Sequence, residues 1–292
     1  MKKVLCTLLS GILLGTLASP ALLAQASDIP SAAAAPSSTQ IAQPSPQTQE
    51  QRGRQLMDEM VTALGGDAWL HRRDMQFHGQ IATFFQGRPN GMVVEFDAWQ
   101  QFPGANQQQA ERIGFLTDKS MIFPGKKIDV VQIWTGGEGY EVTFKGKTTL
   151  PKDQVEDYYR RQAHSIEAVV RTWLKAPGVM VLYDGTSMVE RRMADQVTIL
   201  SANNDAVTID LDATTHLPLR RTFQWRNTTF KDHDEDVEEY DDYHTMQGLP
   251  TALTVTRYHN GDMANQRFLT NVQYNTGLPH ELFNPDHLLK KK

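Results

Sequence analysis

The residues from Asn204 to Phe283 read as one antiparallel meander, and no other stretch of the chain restricts the fold as strongly. Val207, Ile209 and Leu211 alternate with polar neighbours and lead into a turn from Asp212 to His216. Leu219, Arg221, Phe223 and Trp225 share one side of the next run, followed by Val237 to Tyr243. Leu253, Val255 and Arg257 then approach Asn260-Gly261, and Phe268, Thr270, Val272 and Tyr274 complete the series. A period of two buries one face of a sheet and wets the other. Asn-Gly supplies the positive φ values of a tight hairpin. The sheet is a wall, so function depends on what it encloses.

Upstream, Leu56, Met57, Met60, Val61 and Leu64 form a helical stripe over 51–64, ended by Gly65-Gly66. A turn over 67–72 carries Trp69 and Leu70. Strand patterns follow around Met75 to Ile81, Met92 to Ala98, Ile113 to Phe115, Ile128 to Trp134 and Tyr140 to Phe144. Pro151 opens a second helix, striped by Val155, Tyr159, Ile166, Val169, Val170 and Trp173 and stopped near Lys175 by Pro177-Gly178. Further strands lie at 179–183 and 197–200. The fold class is therefore α+β: a strongly curved antiparallel sheet, an unclosed β-barrel of about eleven strands. The helices cover its concave face, and the second is expected to be the more mobile cover. Two helices are too few to fill so wide a trough, which leaves room for an apolar ligand. The alternative is a solid core with the helices packed directly on the sheet.

Residues 1–26 have the form of a secretory signal: Lys2 and Lys3, an apolar run broken by Gly11, Gly15 and Pro20, then Ala24-Gln25-Ala26. Cys6, the single cysteine, leaves with it, so a mature chain has no disulfide or thiol chemistry. Removing Lys2 and Lys3 takes the formal charge from −5 to −7, which gives no general attraction to nucleic acid. Residues 27–50, rich in Ala, Pro, Ser and Gln, read as a disordered leader. A single domain over 51–285 and a basic tail over 286–292 complete the chain. The location expected is the periplasm or the exterior.

The stretch Val207 to Arg220, with Asp210, Asp212, Thr215, Leu217 and Pro218, resembles a hairpin of the periplasmic lipoprotein-carrier (outer-membrane lipoprotein-sorting) superfamily. Tyr240-Asp-Asp-Tyr243 followed by Gly248-Leu249-Pro250-Thr251 is similar in the same way. Leu64-Gly65-Gly66 with Trp69-Leu70, and Val272, Tyr274 and Asn275 with Leu282-Phe283, resemble its larger secreted relatives. The resemblance implies an unclosed barrel of about eleven strands around an apolar cavity, and a role in carrying or sensing lipids or acylated proteins. The lipoprotein shuttles of that superfamily carry an arginine on an early strand that holds the helical lid. Here the strand from Met92 to Trp99 has none, and Arg112 and Arg221 are the substitutes.

No catalytic set emerges from the sequence. Asp232-His233-Asp234-Glu235-Asp236, continuing to His244, has carboxylates and imidazoles but lacks calcium-loop spacing and an HExxH pair. It reads as a solvated loop leading into an edge strand. Neutralising Asp234, Asp236 and Glu238 is then expected to leave stability nearly unchanged. His164 reads as an exposed helix histidine, and Ser165, Ser187 and Ser201 lack a nucleophile elbow. Gly136-Gly137 joins two strands and is a hairpin turn.

The reading is a non-enzymatic secreted binding protein, without cofactor or metal, that holds a lipid or acyl chain. It is expected to be a monomer, with transient contact to a membrane or membrane-bound donor. The expected lining is Phe77, Val94, Phe96, Phe115, Trp134, Tyr159, Ile166, Trp173, Phe223 and Trp225. A register slip of one residue would exchange lining for exterior. Two other classes stay open: a metal-dependent hydrolase using 232–244, and a structural or signalling domain with a filled core. Bound lipid, bound metal, or neither discriminates the three.

Overall fold

The structure, a computed structural model, describes residues 48–104, 109–118, 125–227, 229 and 232–287. The expected signal segment, nearly all of the leader and most of the basic tail lie outside these residues. Among the described residues thirteen strands form one antiparallel sheet. The first six are β1 (Asp74–Phe85), β2 (Arg88–Gln101), β3 (Ala110–Asp118), β4 (Lys126–Thr135), β5 (Glu138–Thr143) and β6 (Gly146–Thr149). The other seven are β7 (Met180–Val189), β8 (Arg192–Leu200), β9 (Ala206–Asp212), β10 (Pro218–Arg226), β11 (His233–Met246), β12 (Leu249–His259) and β13 (Asp262–Tyr274). The expected count of about eleven is too low. One reason is β6, whose Gly-Lys-Thr-Thr has no apolar residue to mark an alternation.

The spatial order runs from β6 down to β1, then β13 down to β7. Two meanders are thus joined by the single pairing of β1 with β13, with Met75 opposite Tyr274 and Ile81 opposite Arg267. The free edges are β6 and β7, so the sheet curves without closing. The chain passes from one edge to the other through α3 (Lys152–Ala163) and α4 (Ile166–Arg171), which lie over the concave face. Ile166, Val169 and Val170 of α4 join the main core with Val181, Ile199, Ile209 and Phe223.

Two helices precede β1: α1 (Gln49–Ala63) and the four-residue α2 (Asp67–Leu70). A reciprocal cap between Thr48 and Gln51 starts α1, two residues ahead of the expected Gln51. Leu56, Met57 and Met60 are buried on its inner side. Gly53 seats it on β7, since a Cβ there would lie 2.7 Å from the Val181 carbonyl oxygen. Gly65, at φ 118°, releases the chain from the helix end as its sequence implies.

The expected single helix from Pro151 to Lys175 is broken. Ser165 takes an extended conformation and its Oγ accepts from the Ala168 N–H at 3.2 Å, capping α4. A hydroxyl that can replace a helical hydrogen bond competes with the continuous stripe, and here it wins. Gly136 and Gly137 form the expected hairpin turn between β4 and β5, with φ values of 61° and 86°. The 3₁₀ turn His280–Phe283 packs against β3 and β4, where Arg112 donates to the Leu282 carbonyl at 3.3 Å.

Candidate functional site

A cavity of about 380 Å³ lies between the concave face and the α3–α4 connection. Its apolar wall includes Met75, Phe77 and Ile81 of β1, Ile113 of β3, Trp134 of β4, Ile166 of α4, and Leu269 of β13. Its polar wall is formed by Glu111 of β3, Arg161 of α3, Glu238 of β11, Arg257 of β12 and Arg267 of β13, with Arg72 and, on α4, Glu167.

Of the ten residues named from the sequence, the structure places Phe77, Trp134 and Ile166 on the cavity. Phe96 and Phe223 are buried in the main core, with Phe115, Trp173 and Trp225 half-buried against it. Val94 is half-buried on β2, opposite Ile81. Tyr159 is tied to the β4–β5 turn, accepting from the Gly137 N–H and donating to the Glu138 carbonyl, both at 3.1 Å.

The acidic run is not a solvated loop beside an edge strand. It builds β11, which lies between β10 and β12 in the middle of one meander. Asp236 is fully buried, and Glu238 keeps 17% of its side chain exposed. Arg221 of β10, itself sealed from solvent, contacts Asp236 at 3.2 Å and Glu238 at 3.1 Å. Arg257 Nε donates to Asp236 at 2.7 Å, and Arg267 to Glu238 at 3.3 Å. The structure removes the ground for expecting that Asp234, Asp236 and Glu238 can be neutralised without cost, because two of the three pair with the buried Arg221 guanidinium. Among the described residues no three His, Cys, Asp or Glu side chains converge as a metal site.

The signal for this network was present in the strand parity. Arg257 shares a face with Val255, Arg267 with Leu269, and Glu238 with Tyr240, so each charge falls on the inward side of its strand. Residues directly across the β11–β12 ladder, Glu238 and Arg257, carry opposite charges. Charge on an inward face is a cue for pairing, because an unpaired buried ion is costly.

Burial alone would raise the Glu238 carboxyl, but Arg221, Arg267 and Arg161 outweigh it and hold it at about 2, below the ordinary 4.5. Its folded value lies below its unfolded one, so its stabilisation is complete above about pH 4.5 and lost as pH falls through about 2. Desolvation raises Asp236 in spite of Arg257 and Arg221, and so acts in the opposite sense. Acid titration followed by circular dichroism is expected to show a steeper loss of stability across that window in the wild type than in Glu238→Gln. Superimposable acid limbs would show that Glu238 is not held low.

Polar contacts join the helical cover to the sheet beside the apolar packing of Ile166, Val169 and Val170 in the main core. Tyr158 of α3 donates to Glu111 at 2.7 Å and stacks on Trp134. Asp157 accepts from Arg257 at 3.4 Å, and Glu167 of α4 from Arg72 at 2.7 Å. His164 is buried, contrary to the expected exposed position. One ring nitrogen meets Asp205 at 2.9 Å, the other the Arg160 carbonyl at 2.7 Å, and the ring stacks on Phe223 at 4.2 Å. That environment makes it a link between the helical connection and the core.

No protein-family model matches the sequence, and no curated protein matches it. Among solved structures, a DUF1329 family protein from Desulfovibrio piger superimposes with a TM-score of 0.53 at 12% identity, covering 81% of this chain and 97% of that one. A putative outer membrane lipoprotein-sorting protein domain from Vibrio parahaemolyticus gives 0.50 at 10% identity, covering 81% and 98%. At such identities the likeness establishes the fold, which is the one the sequence resemblance implies.

Proposed function

We propose that this chain is a secreted, non-catalytic carrier that holds one acyl chain or lipid in the cavity beneath α3 and α4. The observation that carries the reading is the cavity itself, lined by Phe77, Ile113 and Leu269 and bordered by α3 and α4. Where the cover is held by hydrogen bonds, as between Tyr158 and Glu111, those attachments can be exchanged for water at modest net cost. The shared fold with a lipoprotein-sorting domain supports the same class of ligand, and the signal-like N-terminus supports a periplasmic or exterior location.

Apolar burial is large enough for useful affinity. Ten methylenes removed from water contribute about 8 kcal/mol before the cost of association is subtracted. Mass spectrometry of organic extracts from protein purified without detergent is expected to reveal a chain-bearing lipid. Ile113→Trp, which fills the cavity from β3, is expected to weaken a fluorescent fatty acid at least about tenfold, a loss of about 1.4 kcal/mol, with the fold retained. Lipid-free extracts together with no saturable probe binding would favour the filled-core reading instead.

A further inference from the structure

Resting on the carrier reading, we infer that the cavity takes a single-chain amphiphile with an anionic head, a carboxylate or phosphate monoester. The head is received by Arg161, Arg257 and Arg267, and the tail lies along Phe77 and Ile113.

The sign of the head follows from which hydrogen-bonding groups are already engaged. In Asp236, Oδ1 accepts from Arg221 and Oδ2 from Arg257. In Glu238, Oε1 accepts from Arg267, while Oε2 takes the Tyr240 hydroxyl at 3.0 Å and faces Arg221. Asp157 Oδ2 accepts from Arg161 and Arg257, and its Oδ1 lies 3.8 Å from Arg160. Glu111 Oε2 accepts from Tyr158. Glu167 Oε1 accepts from Arg72, so of the six oxygens on the lining carboxylates four are engaged, leaving a cationic head one oxygen on Glu111 and one on Glu167.

The guanidinium groups are in the opposite situation. Each carries five N–H donors in a planar fork. Arg161 directs one nitrogen to Asp157, Arg267 one to Glu238, and Arg257 two to Asp236 and Asp157. Arg257 and Arg267 keep 16% and 32% of their side chains accessible, and Arg161 keeps 23%; all three line the cavity. Arg221 differs, being sealed at 1% and outside the lining. The forks left open fit the planar or trigonal oxygens of a carboxylate or phosphate. Desolvation also raises the Glu111 carboxyl, moving one of the two lining carboxylates with a less engaged oxygen towards its neutral form. The volume, about 380 Å³, is near the lower end of ligand pockets and fits one chain better than two or three.

The test is displacement of a pyrene-tagged hydrocarbon by amphiphiles that share one tail: hexadecanoate, hexadecyl phosphate, hexadecanol and hexadecyltrimethylammonium, with acetate and inorganic phosphate as headgroups alone. Hexadecanoate and hexadecyl phosphate are expected to bind at least about tenfold tighter than hexadecanol, and the ammonium more weakly still. Arg161→Gln and Arg267→Gln should each pull the anion-to-alcohol ratio towards one. They leave Asp157 with Arg257 and Glu238 with Arg221, so no carboxylate is stranded. If a variant fails to fold, the headgroup series on the wild type still decides. Equal binding of alcohol, ammonium and anion would overturn the inference and leave the carrier reading standing. Displacement by acetate or phosphate alone, at concentrations matching their long-chain forms, would make this a small-anion site and also overturn it. Displacement by none of the compounds would overturn the carrier reading and this inference together.

Discussion

Arg221→Ala is expected to destabilise the protein by about 3–5 kcal/mol in urea unfolding, among the largest effects of any single substitution in this sheet. Arg221 is 1% exposed and bridges the buried Asp236 and the partly buried Glu238 on the neighbouring strand. Removing it leaves their charges to Arg257 and Arg267 and empties the space against the Phe223 ring, over which its guanidinium sits at 4.8 Å. Arg221→Met separates the two contributions. It refills most of the volume without the charge, so it should remain nearly as unstable as the alanine variant. A loss below about 1 kcal/mol in both would place the network in the class of exposed pairs.

Phe223→Ala is expected to cost about 3–5 kcal/mol as a core truncation while leaving affinity for a fluorescent fatty acid nearly unchanged in the folded fraction. The ring is 2% exposed, sandwiched between His164 and Trp225, and does not line the cavity. Weakened probe binding with unchanged melting would place Phe223 on the ligand instead.

These two neighbours on β10 mark where sequence reading stops. The period-two alternation put Arg221, Phe223 and Trp225 on one inward face, and the structure has them there. Alternation reports the face of a residue but not its depth along the strand, so it could not say that Phe223 meets α4 and His164 whereas Phe77, on β1, meets open volume. That distinction is set by where the helical connection crosses, and the crossing depends on the break at Ser165, which the continuous stripe concealed. The acidic run was misread for a related reason. A run of like charges resembles a wet surface until the basic residues opposite it are found, and those lie on three other strands. The hairpins were legible because their signals are local: Asn260-Gly261 and Gly136-Gly137 fix their turns by backbone chemistry alone. β6 left no signal because a short polar edge strand has no buried face to advertise.

The seam between β1 and β13 has a consequence for the order in which the protein can be built. Gln76 and Gln273, hydrogen-bonded across it, are 197 positions apart, whereas every other strand pairs only with its neighbours in the chain. Each meander can therefore zip up locally and quickly, but joining them requires closure of a very long loop. A polypeptide that emerges amino-terminus first will hold β1 as a bare edge, rich in unpaired amides, until the last strand arrives. During that interval β1 is the segment most exposed to adventitious strand pairing, and a chaperone that shields it would protect the whole fold.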